Sequence, residues 1–407
     1  MKKIIGIITL VFLLIVSFSG CLNSKEEFAS APVKLDKEVQ NKLIKENNQF
    51  SYQLFKTIAN NDREKNVAIS PLSVSTVLTM IYNGASGETK TALAETLGLQ
   101  GLTLVEVNNY YKKLQAQFSK SNRKVELKFA NSIWTDDSLS LKEEFMNSME
   151  KYYQGQAFQT DFSKSSAVAE VNNWIAEETQ GKIPAMIDSL TGVKMMLINA
   201  LYFKANWQTQ FPKSNTRQEL FTTGSGQEKQ VAMMGQQNKF NYYQDKNLKL
   251  LELPYSKQRL AMYIVLANKE IKFNSWLKDI TPQQIQDKMN KLSAEEVKVA
   301  LPKFNLSYGS KQLNGVLTQM GLGILFNGGD LSKIAPKVTL GSIEHKTVVE
   351  VNEEGSEAAG ATDAKMPTAR PPGAIKQFNA NHPFLFMIKD KKTANILFMG
   401  QIVNPKL

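Results

Sequence analysis

Few residues of this chain could do covalent or metal chemistry. There are two histidines, His345 and His382, and a single cysteine, Cys21. A zinc centre needs several such ligands at short spacing, and neither an H-E-x-x-H nor a C-x-x-C pattern occurs. His345 could serve Ser70 or Ser73 as a base, but no G-x-S-x-G turn presents a nucleophile. A lone histidine in the apolar run "HKTVVEV" (345–351) suits a hydrogen-bonded core place better. The glycine clusters "GLG" (321–323) and "GG" (328–329) lack a following Lys-Ser/Thr, so turn chemistry accounts for them and phosphate binding does not. The carboxylate pairs Asp136-Asp137 and Glu353-Glu354 fall on expected turns or strand ends, where solvated charge is the default. This inventory argues against an enzyme and implies no metal or cofactor.

One stretch is harder to place. "EEGSEAAGAT" (353–362) follows a run that reads as a strand, yet seven of its ten residues are Gly, Ala, Ser or Thr. It has little to bury and little charge to bind with.

The elements around these residues follow from their periodicity. Val39, Leu43, Phe50, Leu54 and Ile58 have helical spacing over 36–60. "NVAIS" (66–70) reads as a short strand, and Pro71 opens a largely apolar helix. Ser86 is placed to cap a helix through Leu97, and 103–120 and 164–179 read as amphipathic helices, with a strand at 125–134. "MMLINALYF" (195–203) is apolar without alternation, as in a strand buried on both faces. "LKLLELPY" and "RLAMYIVLA" form a hairpin about 256–258, "VKVALPKFNL" (297–306) reads as a further strand, and a helix is expected over 310–320. "PFLFMIKD" and "NILFMGQIV" close the chain as two buried strands. Helices lie mainly in the first half and strands in the second, which argues an α+β fold. No linker or internal repeat divides the body, so one large domain is expected.

The first twenty residues have the form of a signal peptide, with Lys2 and Lys3 before an apolar run (4–18) too short to span a bilayer. Cys21 after this run resembles the lipobox of prokaryotic lipoproteins, although Phe18 stands where leucine is usual. The alternative is ordinary cleavage nearby, leaving a free thiol. Polar residues 22–35 read as a tether, and a single cysteine allows no internal disulfide. The formal charge is +11, or +9 without Lys2 and Lys3. It is spread along the chain and reads as a solvated basic surface, with attraction to anionic envelope polymers as the alternative, and not as a nucleic-acid footprint.

Several stretches together resemble the serpin family. They are "NVAISPLSVSTVLTMIYNGASGET", "NNWIAEETQGKI", "LINALYFKANWQTQF", "VALPKF", "MGLGILF", "HKTVVEVNEEGSEAAGAT" and "FNANHPFLFMI", in the family's order over about 40–405. The resemblance implies three β-sheets, eight or nine helices and an exposed reactive loop at about 353–374. With the signal peptide (1–20) and the lipid-anchor cysteine and tether (21–38) set apart, the resemblance leaves one domain (39–407). Most serpins are suicide inhibitors of serine proteases: the cleaved loop inserts into the central sheet and carries the acylated protease with it. A papain-like cysteine protease is a further possible partner, and a non-inhibitory envelope binding protein is the alternative function. The implied protein is a monomer outside the cytoplasm, membrane-anchored or secreted.

The puzzling stretch meets this expectation. Every second residue from Ser356 onward, Ala358, Gly360, Thr362, Ala364 and Met366, is uncharged, whereas all the charge sits on the intervening set Glu357, Ala359, Ala361, Asp363 and Lys365. That is the pattern of a strand that has not yet joined its sheet. The resemblance makes Glu353, Gly355 and 356–362 the hinge. It groups Ser70, Ser73, Asn199 and His345 in a polar cluster beneath the sheet and sets Trp207 at the point where the sheet opens. Fourteen places beyond Gly355 lies Ala369, so the implied reactive bond is Ala369–Arg370. Pro371 disfavours a trypsin-like cut after Arg370, and a small residue at 369 suits an elastase-like or subtilisin-like enzyme.

Overall fold

The computed structural model describes residues 35–118, 125–355 and 375–406, apart from the side chains at 125, 310 and 311. Helix α1 (Lys37–Asn61) starts where Asp36 accepts from the amides of Glu38 and Val39. It buries Leu43, Phe50, Leu54 and Ile58, the stripe seen in the sequence. Strand β1 (Val67–Ile69) leads into α2 (Pro71–Gly84), which is buried along its whole length. In α3 (Gly87–Leu97), Ser86 holds the cap position without a side-chain bond, and its amide goes to the Asp330 carbonyl instead. Thr103 and Glu106 form a reciprocal cap at the start of α4 (Leu104–Phe118). Then follow β2 (Val125–Asp136), α5 (Glu143–Tyr153), β3 (Ala157–Thr160), α6 (Ser166–Glu178) and β4 (Met195–Ala205). The second half carries β5 (Arg217–Thr222), β6 (Glu228–Gln244), β7 (Leu248–Pro254), β8 (Leu260–Ala267), α7 (Phe273–Asp279) and α8 (Pro282–Met289). It ends with β9 (Ser293–Pro302), β10 (Phe304–Gln312), α9 (Asn314–Leu317), β11 (Ser342–Val351), β12 (Lys376–Asn379), β13 (Phe384–Asp390) and β14 (Ile396–Ile402).

Among the described residues the strands form two hydrogen-bonded sheets. One has five strands in the order β10-β11-β4-β2-β3. The other has nine, β1-β14-β13-β8-β7-β6-β9-β12 with β5 against β6. Strand β6 joins two leaves of this larger sheet. Its earlier part pairs with β5 and β9 and its last residues with β7, so the three expected sheets are the five-stranded sheet and these two leaves. One face of the five-stranded sheet, with Leu197, Leu201, Phe203 and Val349, packs on the main core. The opposite face, with Ala130, Trp134, Met196, Ile198 and Ala200, lies under Ala167, Val171 and Ile175 of α6. Burial on both faces explains why β4 shows no alternation.

Two expected elements are corrected. "VKVALPKFNL" is not one strand: it ends β9, which belongs to the nine-stranded sheet, and begins β10, which belongs to the five-stranded one. Pro302 offers no amide to a continuing ladder, and the Lys303 amide bonds to Ala232 as the chain crosses over. Nor does a helix cover 310–320. Strand β10 runs on to Gln312 past a bulge at Gly309, and the helical turns start at Asn314 and are interrupted by Gly321 at φ +97°.

Lys389 tests the packing of the larger sheet. It lies in the interior strand β13, is 7% exposed, and among the described residues its ammonium meets only the Gln286 amide oxygen at 3.3 Å and the Met289 sulfur. Burial pushes its pKa down to about 8. The folded state therefore binds the proton more weakly than the unfolded one, so stability should rise as pH climbs from about 8 towards 10.5. Lys389→Met is expected to stabilise the protein at pH 7 by about 2 kcal/mol, with the gain fading above pH 10. Thermal melts of both proteins at pH 7 and pH 10 measure this, and an equal melting temperature at pH 7 would refute it.

Candidate functional site

The five-stranded sheet has a seam at its middle. β11 and β4 run parallel, paired from Ser342↔Met196 to Val349↔Phe203, while their outer neighbours β10 and β2 are antiparallel to them. Parallel pairing is slightly weaker per residue, so of the two ladders that β4 makes this is the weaker per residue.

A polar cluster lies beneath the seam. His345 of β11 pairs across the ladder with Asn199 of β4, and its Nδ1 bonds the Asn199 amide oxygen. The Ser70 amide donates to His345 Nε2 at 3.3 Å. Nε2 is thus an acceptor, which leaves the proton on Nδ1. Asn199 Nδ2 donates to Ser73 Oγ and to Asn131 Oδ1, both at 2.6 Å, and Ser73 Oγ donates to Asn131 Oδ1 at 2.7 Å. The structure brings Ser70, Ser73, Asn199 and His345 together. Asn131 completes the cluster and was not foreseen, because an asparagine inside a strand carries no motif. The cluster ties α2 to both strands of the seam. All four are fully buried, and among the described residues the Ser70 hydroxyl has no hydrogen-bond partner.

Burial pushes the His345 pKa down to about 3, from an ordinary value of 6.5. A folded-state pKa below the unfolded one means that stability is fully present above pH 6.5 and is lost as pH falls towards 3. Between pH 7 and pH 5 the parent is expected to lose about 2 kcal/mol more stability than His345→Gln. Denaturant titrations at the two pH values measure the difference, and parallel losses would show that the imidazole is not held neutral.

The upper end of the seam is fastened. Trp207 is buried and stacks on Tyr255 at 4.5 Å. Its indole N–H donates to the Asn352 carbonyl at 2.9 Å, and its amide donates to the Glu354 carbonyl at 3.0 Å. The Glu353 carboxylate, 6% exposed, takes Lys303 Nζ at 2.9 Å and Thr216 Oγ1 at 2.7 Å. Burial would raise its pKa, but Lys303 and Thr216 outweigh that and hold it below the ordinary range. Glu354 pairs with Lys213 at 2.6 Å.

These bonds correct the expectation of solvated carboxylates at 353–354. The same correction applies to Asp136, which is buried and paired with Lys194 at 2.7 Å, its pKa drawn down to about 2. The sequence does not show these partners because they lie 50 to 141 residues away along the chain.

Gly355 ends this fastening. Asn352 and Gly355 exchange backbone hydrogen bonds, so the chain reverses here, and Gly355 bridges Asn206 in antiparallel fashion. Its φ is +113°, and a β-carbon would lie 2.2 Å from the Ala205 carbonyl oxygen. The remaining hinge residues Ser356, Glu357, Ala358, Ala359, Gly360, Ala361 and Thr362, the bond Ala369–Arg370 and Cys21 lie outside the described residues.

Residues 45–405 match a family model described as serpin (serine protease inhibitor). The chain is 34% identical to an uncharacterized serpin-like protein of Thermococcus kodakarensis, across 98% of this chain and 99% of that one. It is 35% identical to leukocyte elastase inhibitor of Homo sapiens, across 88% and 98%. Among solved structures it is similar to the thermophilic serpin tengpin in its native state (TM-score 0.83, 28% identity, 92% and 96% covered). It is also similar to human thyroxine-binding globulin (TM-score 0.82, 27% identity, 91% and 100% covered).

Proposed function

Because the chain belongs to the serpin family, we propose that it is a covalent-trapping inhibitor of serine proteases, of elastase-like or subtilisin-like preference. The protease serine oxygen attacks the Ala369 carbonyl, an ester forms, and the Ala369–Arg370 peptide bond breaks. Arg370 leaves as a free amine, carrying the proton that the protease histidine took from the serine. Residues from Ser356 onward then enter the sheet between β4 and β11.

The observation that carries this reading is the direction of the chain at the seam. At Gly355 it has just reversed and runs antiparallel to the β4 extension, so a strand continuing from it is antiparallel to both β4 and β11. It would replace one parallel ladder with two antiparallel ones. Ala369 is the fourteenth residue after Gly355. Extended, this span reaches about 45 Å, more than the length of the 11-residue β4. An acylated protease would therefore be carried past the far edge of the sheet. The uncharged alternate set from Ser356 supports the same reading.

In this scheme Ser70, Ser73, Asn199 and His345 hold the seam shut until the strands part, and Trp207 marks the upper opening. A panel of elastase, subtilisin, trypsin and papain tests the proposal. A complex stable in SDS, with its acyl bond at residue 369 by mass spectrometry, is expected from elastase or subtilisin. Loop nicking without any complex would refute inhibition and favour a binding protein.

Lipidation of Cys21 would hold the domain at a membrane surface through the tether. Among the described residues no helix is long and apolar enough to cross a membrane. Cys21→Ala is expected to shift the protein from the membrane fraction to the soluble extracytoplasmic fraction while inhibition persists. A parent protein already soluble and without an acyl group would refute the anchor.

A further inference from the structure

At the start of β12, the end of β6 and the approach to β9 form a concave surface of about 520 Å³. Three lysines line it: Lys246 in the turn after β6, Lys291 just before β9, and Lys376, the first residue of β12. All three are exposed, and none has a carboxylate partner among the described residues. Two acids share the surface. Asp245 is already committed, since it pairs with Lys288 and accepts from the amides of Asn247 and Leu248. Glu295 is half-buried and, among the described residues, its carboxylate meets only Ser293 Oγ at 3.3 Å. Counting Lys288, four cations face two anions, a local surplus of +2.

The place matters as much as the charge. Lys376 follows Ile375, a large apolar residue that is 41% exposed. On the inhibitor reading, on which this inference rests, Ile375 is only the sixth residue after Ala369, so six residue steps join them. Fully extended they span about 20 Å. A protease domain of ordinary size has a radius comparable to that distance. An enzyme seated on the bond therefore overlies the base of the loop, and its rim faces this groove.

We infer that the groove of Lys246, Lys291 and Lys376 is a secondary docking site for an acidic surface patch on the target protease. Charges at the rim of such an encounter act mainly on the association rate, and salt screens them. The groove would then select among proteases that share a taste for the same bond.

The probe is subtilisin in two forms, unmodified and succinylated, the latter carrying carboxylates in place of its lysine ammoniums. With the triple variant Lys246→Ser, Lys291→Ser, Lys376→Ser, the second-order rate of complex formation with succinylated subtilisin is expected to fall about tenfold at low salt. That difference should vanish near 0.5 M salt, where the Debye length is about 4 Å, and unmodified subtilisin should respond little. Stoichiometry should stay at the parent's value. A control triple at the exposed Lys37, Lys45 and Lys142 removes the same charge elsewhere and is expected to leave the rate within twofold.

An unchanged rate in the groove variant, or an equal fall in the control, would overturn the docking site while leaving inhibition intact. If the groove variant kept its rate and lost only retention on dextran sulfate, the surface would be a polyanion site and this inference would fall. No SDS-stable complex from the parent would overturn the inhibitor reading together with it.

Discussion

On the proposed inhibitor function, Ser356→Arg is expected to turn the chain into a protease substrate. Gly355 is locked against Asn206 at the top of the seam, so residue 356 is the first whose side chain must enter when the strands part. At the seam His345, Asn199, Ser73 and Asn131 are already committed to one another, and the Ser70 hydroxyl offers no charge. None is an anion, and the carboxylate of Glu353 is held by Lys303. An arginine driven into the sheet would remain an uncompensated charge, which costs about 3–5 kcal/mol.

A penalty of that size slows insertion by about a hundredfold or more. Hydrolysis of the acyl-enzyme then wins, the loop is cut, and active protease is released. Titration of subtilisin or elastase with the variant should show many molecules consumed per enzyme inhibited and no SDS-stable band. Glu357→Arg supplies the control, since residue 357 belongs to the outward row and its substitution should leave complexes at the parent's stoichiometry. Equal stoichiometry for Ser356→Arg and the parent would mean that the segment does not enter the sheet in this register.

What the sequence revealed and what it hid divide along physical lines. α1, α2 and β4 were legible because burial writes a period into them: a helical stripe, an apolar helix behind Pro71, and a strand apolar on both faces. The longest strand, β6, was missed, since "EKQVAMMGQQNKFNYYQ" is rich in Gln and Asn and has Gly235 in its middle. It is a strand because β9 and β5 pair with it over most of its length, so tertiary pairing overrides weak propensity. The crossing at Pro302 was hidden for the opposite reason. The apolar pattern continues through it while the hydrogen-bond partners change sheets. At the seam, His345, Asn199, Ser70 and Ser73 could be named from motifs, but Asn131, Lys303, Thr216 and Lys213 could not. Those four act only through contacts that the fold creates.

Cleavage of the loop near Ala369 is expected to raise the melting temperature by about 10 °C or more. The intact seam is one parallel ladder of eight residue pairs. A strand placed between β4 and β11 substitutes two antiparallel ladders, a net gain of about eight hydrogen bonds worth about 1 kcal/mol each. Backbone ordering of the inserted segment opposes this gain. Burial of Ala358, Thr362 and Met366 adds to it, and parting the strands gives the orphaned Ser70 hydroxyl a chance to find a partner. For a domain of this size each kcal/mol moves the midpoint by roughly 1–2 °C. The uncut loop cannot make the move in full, because it is attached at both Gly355 and Ile375. Cutting frees one end.

Calorimetry on intact protein and on protein nicked by papain, with the cut located by mass spectrometry, measures the change. Nicked Ser356→Arg should gain much less than the nicked parent, which separates insertion from a general effect of relieving the loop. A midpoint unmoved by cleavage would mean that the five-stranded sheet is already at its lowest free energy. An acylated protease would then have nothing to drive its translocation, and covalent trapping by this chain would lose its physical basis.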